Sequence, residues 1–249
     1  PMQFVSHRLP ALIVYRRIDW YSGRRPEAEG RWRLIIRVTT FPKPVPYLEA
    51  MRLQDELVAR RQADEIPDTL LLLEHTPVIT LGIRAKHEHL LLTQTGLAEK
   101  GIDLHESTRG GDITYHAPGQ LVLYPIMKLS GVEADAHEFV SRLESVAIRT
   151  AEAFGVKAFR RKGKTGVWTD QGKLAAIGIR FKKWVSSHGM SLNVTVDTAG
   201  FNTIVPCGLH GEKVTTLALL LGDTCPSMQE VRAVMLSQFE IVLRRTVER

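Results

Sequence analysis

Apolar positions along this chain switch between two spacings, and the switches mark the elements. RLIIRV at 33–38, LLLLEH at 70–75, VITLG at 78–82, IDLHES at 102–107 and the run at 120–127 are apolar stretches of strand length; the second and third predict buried strands on either side of the Thr76–Pro77 break. Elsewhere the period lengthens to a helical turn. Tyr47, Met51, Gln54 and Val58, broadened by Leu48, Leu53 and Leu57, predict an amphipathic helix over 46–63. The strongest helix runs from about Asp135 to Phe154, where Ala136, Phe139, Leu143, Val146, Thr150 and Phe154 form a core stripe. A short helix is expected near 94–100 and another around 215–221, and a longer one from about Ser227 carries Val231, Val234, Gln238 and Val242 at helical spacing. Between them VKAF, GVWTD, KLAAIGIRF and SLNVTVD read as strands, with Asp170–Gly172 as a hairpin turn that sets Lys173 at the mouth of the next strand.

Composition narrows the classes. A chain of 249 residues with 44% hydrophobic content can bury a sizeable core, as one large domain or a domain with an appendage. Residues 1–32 hold Arg8, Arg16, Arg17, Arg24, Arg25 and Arg31 without periodicity, which predicts a basic arm ahead of a single domain at 33–249; Asp19, Glu27 and Glu29 argue against an organelle-targeting segment. The net charge of +6 comes from 33 basic against 27 acidic residues. That modest excess suits an acidic protein partner, whereas nucleic acid would call for a basic stripe or interleaved aromatics, which a chain with 7% aromatic residues does not offer. Two cysteines in unlike contexts, Cys207 and Cys225, predict no disulfide framework and a reducing, cytoplasmic compartment. No apolar stretch approaches the roughly 18 residues of a membrane span.

Candidate chemistry gathers in three glycine-rich segments: RGGDITYHAPGQ at 109–120, GKLAAIGIR at 172–180 and VPCGLHG at 205–211. Cys207, between a proline and a glycine, suits an accessible thiol. At an ordinary pKa near 8.5 such a thiol is only a few per cent thiolate at neutral pH, so a nucleophilic role requires a nearby cation or base. Lys173, His116, His188 and His210 are the candidates, and spacing does not choose among them; a cysteine–histidine hydrolase stays open. A zinc site on Cys207 and His210 has two ligands of the three or four required, and no P-loop spacing is present. His75, at a strand end, reads as a hydrogen-bonded structural histidine, and Cys225, in the GDTCP break, as structural.

RGGDITYHAPGQLVLYPI, GKTGVWTD, GKLAAIGIR, SSHGMSLNV and FNTIVPCGL, in this order, closely resemble the lipoyl(octanoyl) transferase family over roughly residues 45 to 222. The resemblance implies an α+β fold shared with biotin and lipoate protein ligases, a mixed β-sheet with flanking helices around an acyl tunnel. It implies a two-stage reaction: octanoyl passes from octanoyl-acyl carrier protein to Cys207 as a thioester, then to a lysine ε-amine on apo lipoyl domains of 2-oxoacid dehydrogenases or on glycine cleavage H protein. Lys173 would lower the thiol's pKa and shuttle the proton. The acyl-contacting residues carry over as Arg109, Gly110, Gly111, Asp112, Ile113, Thr114, Tyr115 and His116, then Ala176, Ile177 and Gly178, then Gly189, Met190 and Ser191. Neither ATP nor a metal would be needed, because the thioester keeps the acyl group activated. An ATP-dependent lipoate ligase of the same fold is the rival, and Cys207 separates the two.

Overall fold

The computed structural model describes residues 35–205 and 212–248. The basic arm, Cys207, Gly208 and His210 therefore lie outside the described residues. In chain order the elements are β1 (Ile35–Thr40), α1 (Tyr47–Gln62), β2 (Asp68–Leu73), β3 (Val78–Leu81), α2 (Gln94–Glu99), β4 (Asp103–Glu106), β5 (Ile113–His116), β6 (Gln120–Ile126), α3 (Ala136–Ala153), β7 (Phe159–Arg161), β8 (Lys164–Thr169), β9 (Gly172–Lys182), β10 (Val185–Asn193), α4 (Leu217–Leu221), α5 (Met228–Leu243) and β11 (Thr246–Glu248). Eight strands form one mixed sheet in the order β11-β1-β2-β6-β10-β9-β8-β7, parallel from β11 to β2 and antiparallel beyond, and β4-β3-β5 form a separate three-stranded sheet. This is the α+β arrangement with flanking helices that the sequence led us to expect.

The apolar runs are explained by what covers them. Leu70, Leu72, Leu121 and Leu123 pack into one cluster with Phe139, Leu143 and Val146 of α3 and Met235 and Phe239 of α5, while Leu71, Leu73, Val122 and Tyr124 on the opposite face pack with Ala50, Leu57 and Val58 of α1. Strands β2 and β6 are thus covered on both sides, so LLLL and LVLY read as continuous rather than alternating apolarity. Each fully buried leucine contributes roughly 2 kcal/mol of transfer free energy. Helix α3 starts where Asp135 accepts hydrogen bonds from the backbone N–H groups of His137 and Glu138. Helix α5 starts in a capping box made by Ser227 and Glu230.

Several expectations shift in detail. The buried face of α1 is Tyr47, Ala50, Gln54, Leu57, Val58 and Arg61, and Leu48 turns outward at 47% exposure. Arg61 is buried because it pairs with the fully buried Asp68 at 2.8 Å. On α5 the buried stripe is Val231, Met235, Leu236, Phe239 and Leu243, with Val234, Gln238 and Val242 only half-buried. Strand β10, expected from Ser191, begins at Val185 and ends at Asn193, so VTVD lies beyond it. Polar Ser186 and His188 are tolerated in this central strand because each is partnered: Ser186 Oγ donates to the Pro125 carbonyl at 2.6 Å, and the His188 ring meets Thr108. The turn that precedes β10 has no glycine; Lys183 and Trp184 both adopt positive φ, 49° and 58°. Finally ITYH, within the glycine-rich segment 109–120, is a buried strand of the small sheet, paired with β3 in the register Ile79↔Tyr115 and Thr80↔Thr114.

Candidate active site

A cleft of about 660 Å³ opens where the two sheets meet. One wall comes from β9 and β10. Their ladder sets Gly178 opposite Gly189, Ile177 opposite Met190 and Ala176 opposite Ser191, so two segments distant in sequence form a single surface. Because side chains alternate along a strand, Ala176, Gly178, Gly189 and Ser191 share one face, leaving a shallow strip of small residues. Val122 of β6, opposite Ser191, continues it.

The second wall is the stretch Arg109–His116. Its loop is tied to the end of β3 by Gly82 N–H to Asp112 O at 3.1 Å, Ile83 N–H to Arg109 O at 3.1 Å and Arg84 N–H to Gly111 O at 3.0 Å. Arg109 is buried, donating through Nη2 to the Thr80 carbonyl at 2.6 Å and through Nε to Thr80 Oγ1 at 3.0 Å. Asp112 accepts from His89 Nδ1 at 2.6 Å. The walls touch at Gly110 and Gly178: Gly110 N–H donates to the Ile179 carbonyl at 3.1 Å, and a Cβ on Gly178 would lie 2.6 Å from Gly110 O. Only glycine at 178 permits so close a backbone approach.

Lys173 borders the cleft from the start of β9 and is 7% exposed. The two-residue turn Asp170–Gln171 pairs Trp168 with Lys173 and Thr169 with Gly172, as the DQG signal predicted. Lys173 is also bound along its outer edge: its N–H donates to Lys213 O at 2.8 Å, and its carbonyl accepts from Thr215 N–H at 3.0 Å. Its ammonium lies 5.5 Å from the centroid of the fully buried Trp168 ring, whose face also carries Arg161 at 4.4 Å. Gly166, at φ 122°, makes room for it, since a Cβ there would sit 2.7 Å from Lys173 Cε. Gly166 N–H is itself held by the buried Glu144 carboxylate at 2.9 Å.

Tyr47, His116, Tyr124 and His188 border the cleft, and with His75 they form a cluster of buried rings. His75 donates from Nδ1 to the Val45 carbonyl and accepts at Nε2 from the Tyr124 hydroxyl, both at 2.8 Å. Tyr47 donates to Ser107 Oγ at 2.7 Å and stacks on His105. His116 meets Gln120 at 2.5 Å, and His188 meets Thr108 at 3.1 Å. Burial holds all three inner histidines neutral, pushing His75 down to about 4 and His116 and His188 down to about 3, with the Arg109 charge adding to the effect on the last two. Burial likewise raises the Tyr47 and Tyr124 hydroxyls above their usual range.

Of the expected site residues within the described chain, Lys173, Arg109 to Thr114, His116, Ala176 to Gly178 and Gly189 to Ser191 border this one cleft. Tyr115 does not: alternation along β5 turns its ring the other way, edge-on to Phe201 at 5.4 Å in the cluster beneath the small sheet. Ile113 also packs into that cluster while its chain edges the cleft. Cys207 is outside the described residues, but the chain on both sides of it reaches the rim, with Val205 N–H on the carbonyl of cleft-lining His89 at 2.7 Å and Glu212 paired with Arg161 at 2.7 Å and with Lys164. Sequence reading missed Trp168, Gly166, Gln120 and Asn193. Gln120 left a signal, an amide at the start of an otherwise apolar strand. His75 is the structural histidine it was expected to be, Cys225 packs against the large core cluster, and among the described residues no group of three or more histidines, cysteines or carboxylates is placed to hold a metal. No described helix is long and apolar enough to cross a membrane.

A profile of the family described as lipoyl protein ligase A/B catalytic domain matches residues 46–240. An octanoyltransferase of Syntrophotalea carbinolica is 46% identical over 200 residues, which span 80% of this chain and 91% of that protein. An octanoyltransferase of Chloroflexus aggregans is 46% identical over 190 residues, 75% of this chain and 86% of that protein. Among solved structures, a lipoate-protein ligase A bound with ATP aligns with a TM-score of 0.67 at 16% identity, covering 86% of this chain and 88% of that one. A bi-partite lipoate protein ligase from Thermoplasma acidophilum aligns at 0.65 and 14% identity, covering 86% and 84%. At such identities these two structures speak for the fold.

Proposed function

This chain belongs to the lipoyl protein ligase A/B catalytic domain family, and from that premise we propose that it is an octanoyltransferase of protein lipoylation. In this reading octanoyl-acyl carrier protein delivers its acyl group to Cys207, and the Cys207 thioester passes it to a lysine ε-amine on an apo lipoyl domain or glycine cleavage H protein. Lys173 serves as the cation beside the thiol and the acid–base partner. The observation that carries the reading is the convergence of Lys173 with the strip of Ala176, Gly178, Gly189 and Ser191 in one cleft. In this reading the small side chains on one face make room for the acyl chain, and burying each methylene is worth about 0.8 kcal/mol. Backbone N–H groups of the glycine segments stand available for the developing oxyanion, an interaction worth roughly 3 kcal/mol per donor in other acyl-transfer sites.

No nucleotide enters this scheme. Thioester exchange is close to isoenergetic and the final amide is the downhill product, so no adenylate is required. The basic excess of +6 would steer acidic carrier and acceptor domains.

Intact-protein mass after mixing with octanoyl-acyl carrier protein, without ATP, tests the reading. We expect one octanoyl adduct that is absent in Cys207→Ser and discharges onto an apo lipoyl domain, and a loss of roughly a thousandfold in transfer for Lys173→Ala. Labelling that survives Cys207→Ser, or that requires ATP, would replace this scheme with a ligase mechanism.

A further inference from the structure

Among the side chains bordering the cleft, His116 is held by a hydrogen-bond chain that dictates where its proton sits. At the far end, Asn193 Nδ2 donates to the carbonyl oxygens of Thr215 at 3.0 Å and Lys173 at 3.5 Å. Carbonyls only accept, so the Asn193 amide cannot be reversed, and its Oδ1 is turned to Gln120. Gln120 Nε2 donates to that Oδ1 at 2.8 Å and to the Tyr115 carbonyl at 3.4 Å, which leaves Gln120 Oε1 as the acceptor facing His116 Nδ1 at 2.5 Å. Nδ1 therefore carries the hydrogen and Nε2 the lone pair. Reversing any link would set two donors or two acceptors against each other in a buried place. Nε2 has no protein partner among the described residues, and the ring borders the cleft.

We infer that His116, which the family resemblance places among the acyl-contacting residues, acts instead on the second stage, its Nε2 accepting a hydrogen bond from the amine that attacks the acyl group. This rests on the acyl-transfer reading of the site. A lone pair aimed into the cleft repels a carbonyl oxygen or an oxyanion, so His116 has no place in an oxyanion hole. The acyl chain has no donor to offer it, whereas the attacking amine brings N–H bonds. The relay ends on the carbonyl of Lys173, so the contact and the acid–base group are fixed to one another through the sheet. In the step itself, the amine nitrogen forms the N–C bond, the C–S bond breaks with its electron pair going to sulfur, and the proton lost by nitrogen ends on the thiolate–Lys173 pair. His116 gains no proton; it aligns the nitrogen through a second N–H. Burial suits the ring to this, since a histidine held neutral at pH 7 receives a hydrogen bond without removing the proton.

Two variants and one spectrum test the inference. His116→Asn keeps a donor for Gln120 but has nothing at the Nε2 position; His116→Gln restores an acceptor there. In rapid-mixing experiments with the full chain, we expect octanoyl loading from octanoyl-acyl carrier protein to stay within about twofold of wild type in both variants. Discharge onto the apo lipoyl domain should slow about tenfold in His116→Asn, the equivalent of one hydrogen bond, and recover in part in His116→Gln. Equal slowing of both stages, or slowing of loading alone, would overturn the inference, the latter pointing to the amide N–H groups of the donor's pantetheine arm. Nitrogen-15 spectra of the substrate-free protein at pH 7 should show a protonated Nδ1 and an unprotonated Nε2 for His116. The opposite tautomer, found in a protein that still forms the octanoyl adduct, overturns the role of His116 alone; a wild-type protein that forms no adduct overturns the acyl-transfer reading with it.

Discussion

The β9–β10 wall of the cleft is part of the eight-stranded sheet and stands on the core cluster shared with α3 and α5, whereas the Arg109–His116 wall hangs on three strands of four residues each. The first wall carries Lys173 and the strip of small residues; the second carries a buried arginine, a glycine loop and His116. Their foundations differ accordingly. The small sheet rests on its own cluster of Ile79, Leu97, Ile113, Tyr115 and Phe201, and opposite Gly178 the second wall meets the first through a single backbone hydrogen bond at Gly110. The lesson is a division of labour: the group that must keep its position sits on the deeply packed sheet, and the loop that must approach substrate sits on a smaller unit with its own, smaller core.

Acid should have the largest effect on this arrangement. His116 lies on one wall, His188 on the other, and His75 beneath both, and burial has pushed their pKa values down from 6.5 to about 3, 3 and 4. In the unfolded chain they bind protons as the pH falls through about 6.5, while the folded protein does not. Their contribution to stability is therefore complete above that pH and is lost as the pH falls toward 4, by up to about 1.4 kcal/mol per pH unit for each histidine. Denaturant titrations from pH 7.5 to 5 would measure it. A flat profile would mean that the seam between the walls admits water and charge.

Joining the walls differently should come next. Gly178→Ala places a methyl 2.6 Å from Gly110 O, a backbone contact that cannot rotate away. We expect a loss of about 1–3 kcal/mol in global stability, the usual cost of overpacking, together with octanoyl transfer reduced more than stability alone explains. Unchanged transfer would show that the walls need not touch for function.

The smallest effect should separate the two units. Thr93 caps α2 by accepting from Gly96 N–H, and α2 packs under the small sheet through the buried Leu97. Thr93→Ala should cost about 1 kcal/mol. Hydrogen exchange should quicken at Ile79, Thr80, Thr114 and Tyr115 and remain unaltered at Ile177 and Met190. Equal acceleration in both places would mean the sheets open as one body, and the comparison would fail.

The strands and helices were largely legible in the chain because their signal is local. The apolar runs of β2 and β6, the stripe of α3 and the DQG turn each lie within one element or one turn, and each resolves as expected. The faces were less legible. Leu48 looks as apolar as Leu57, yet only one meets the sheet, since helical spacing defines a stripe without saying which side a neighbour will cover. ITYH was hidden among glycines because a strand of four residues, two of them polar, has too short a period to stand out. The turn at Lys183 and Trp184 lacks any glycine or asparagine, so the pairing of β9 with β10 had to impose it.

By itself the sequence determined most of the elements and the segments that border the cleft, because periodicity and motif composition are properties of neighbouring residues; the roles of Lys173 and Cys207 in acyl transfer are what the family resemblance implies. The tertiary structure alone decided that Tyr115 turns away from the cleft while His116 faces it, that Trp168 lies beside the Lys173 ammonium, and that Gln120 and Asn193 set the tautomer of a histidine. The reason is physical: the role of a polar side chain is set by its hydrogen-bond partner, and here the partners are separated by up to 73 residues of chain, Gln120 from Asn193, and meet only when β6 and β10 pair.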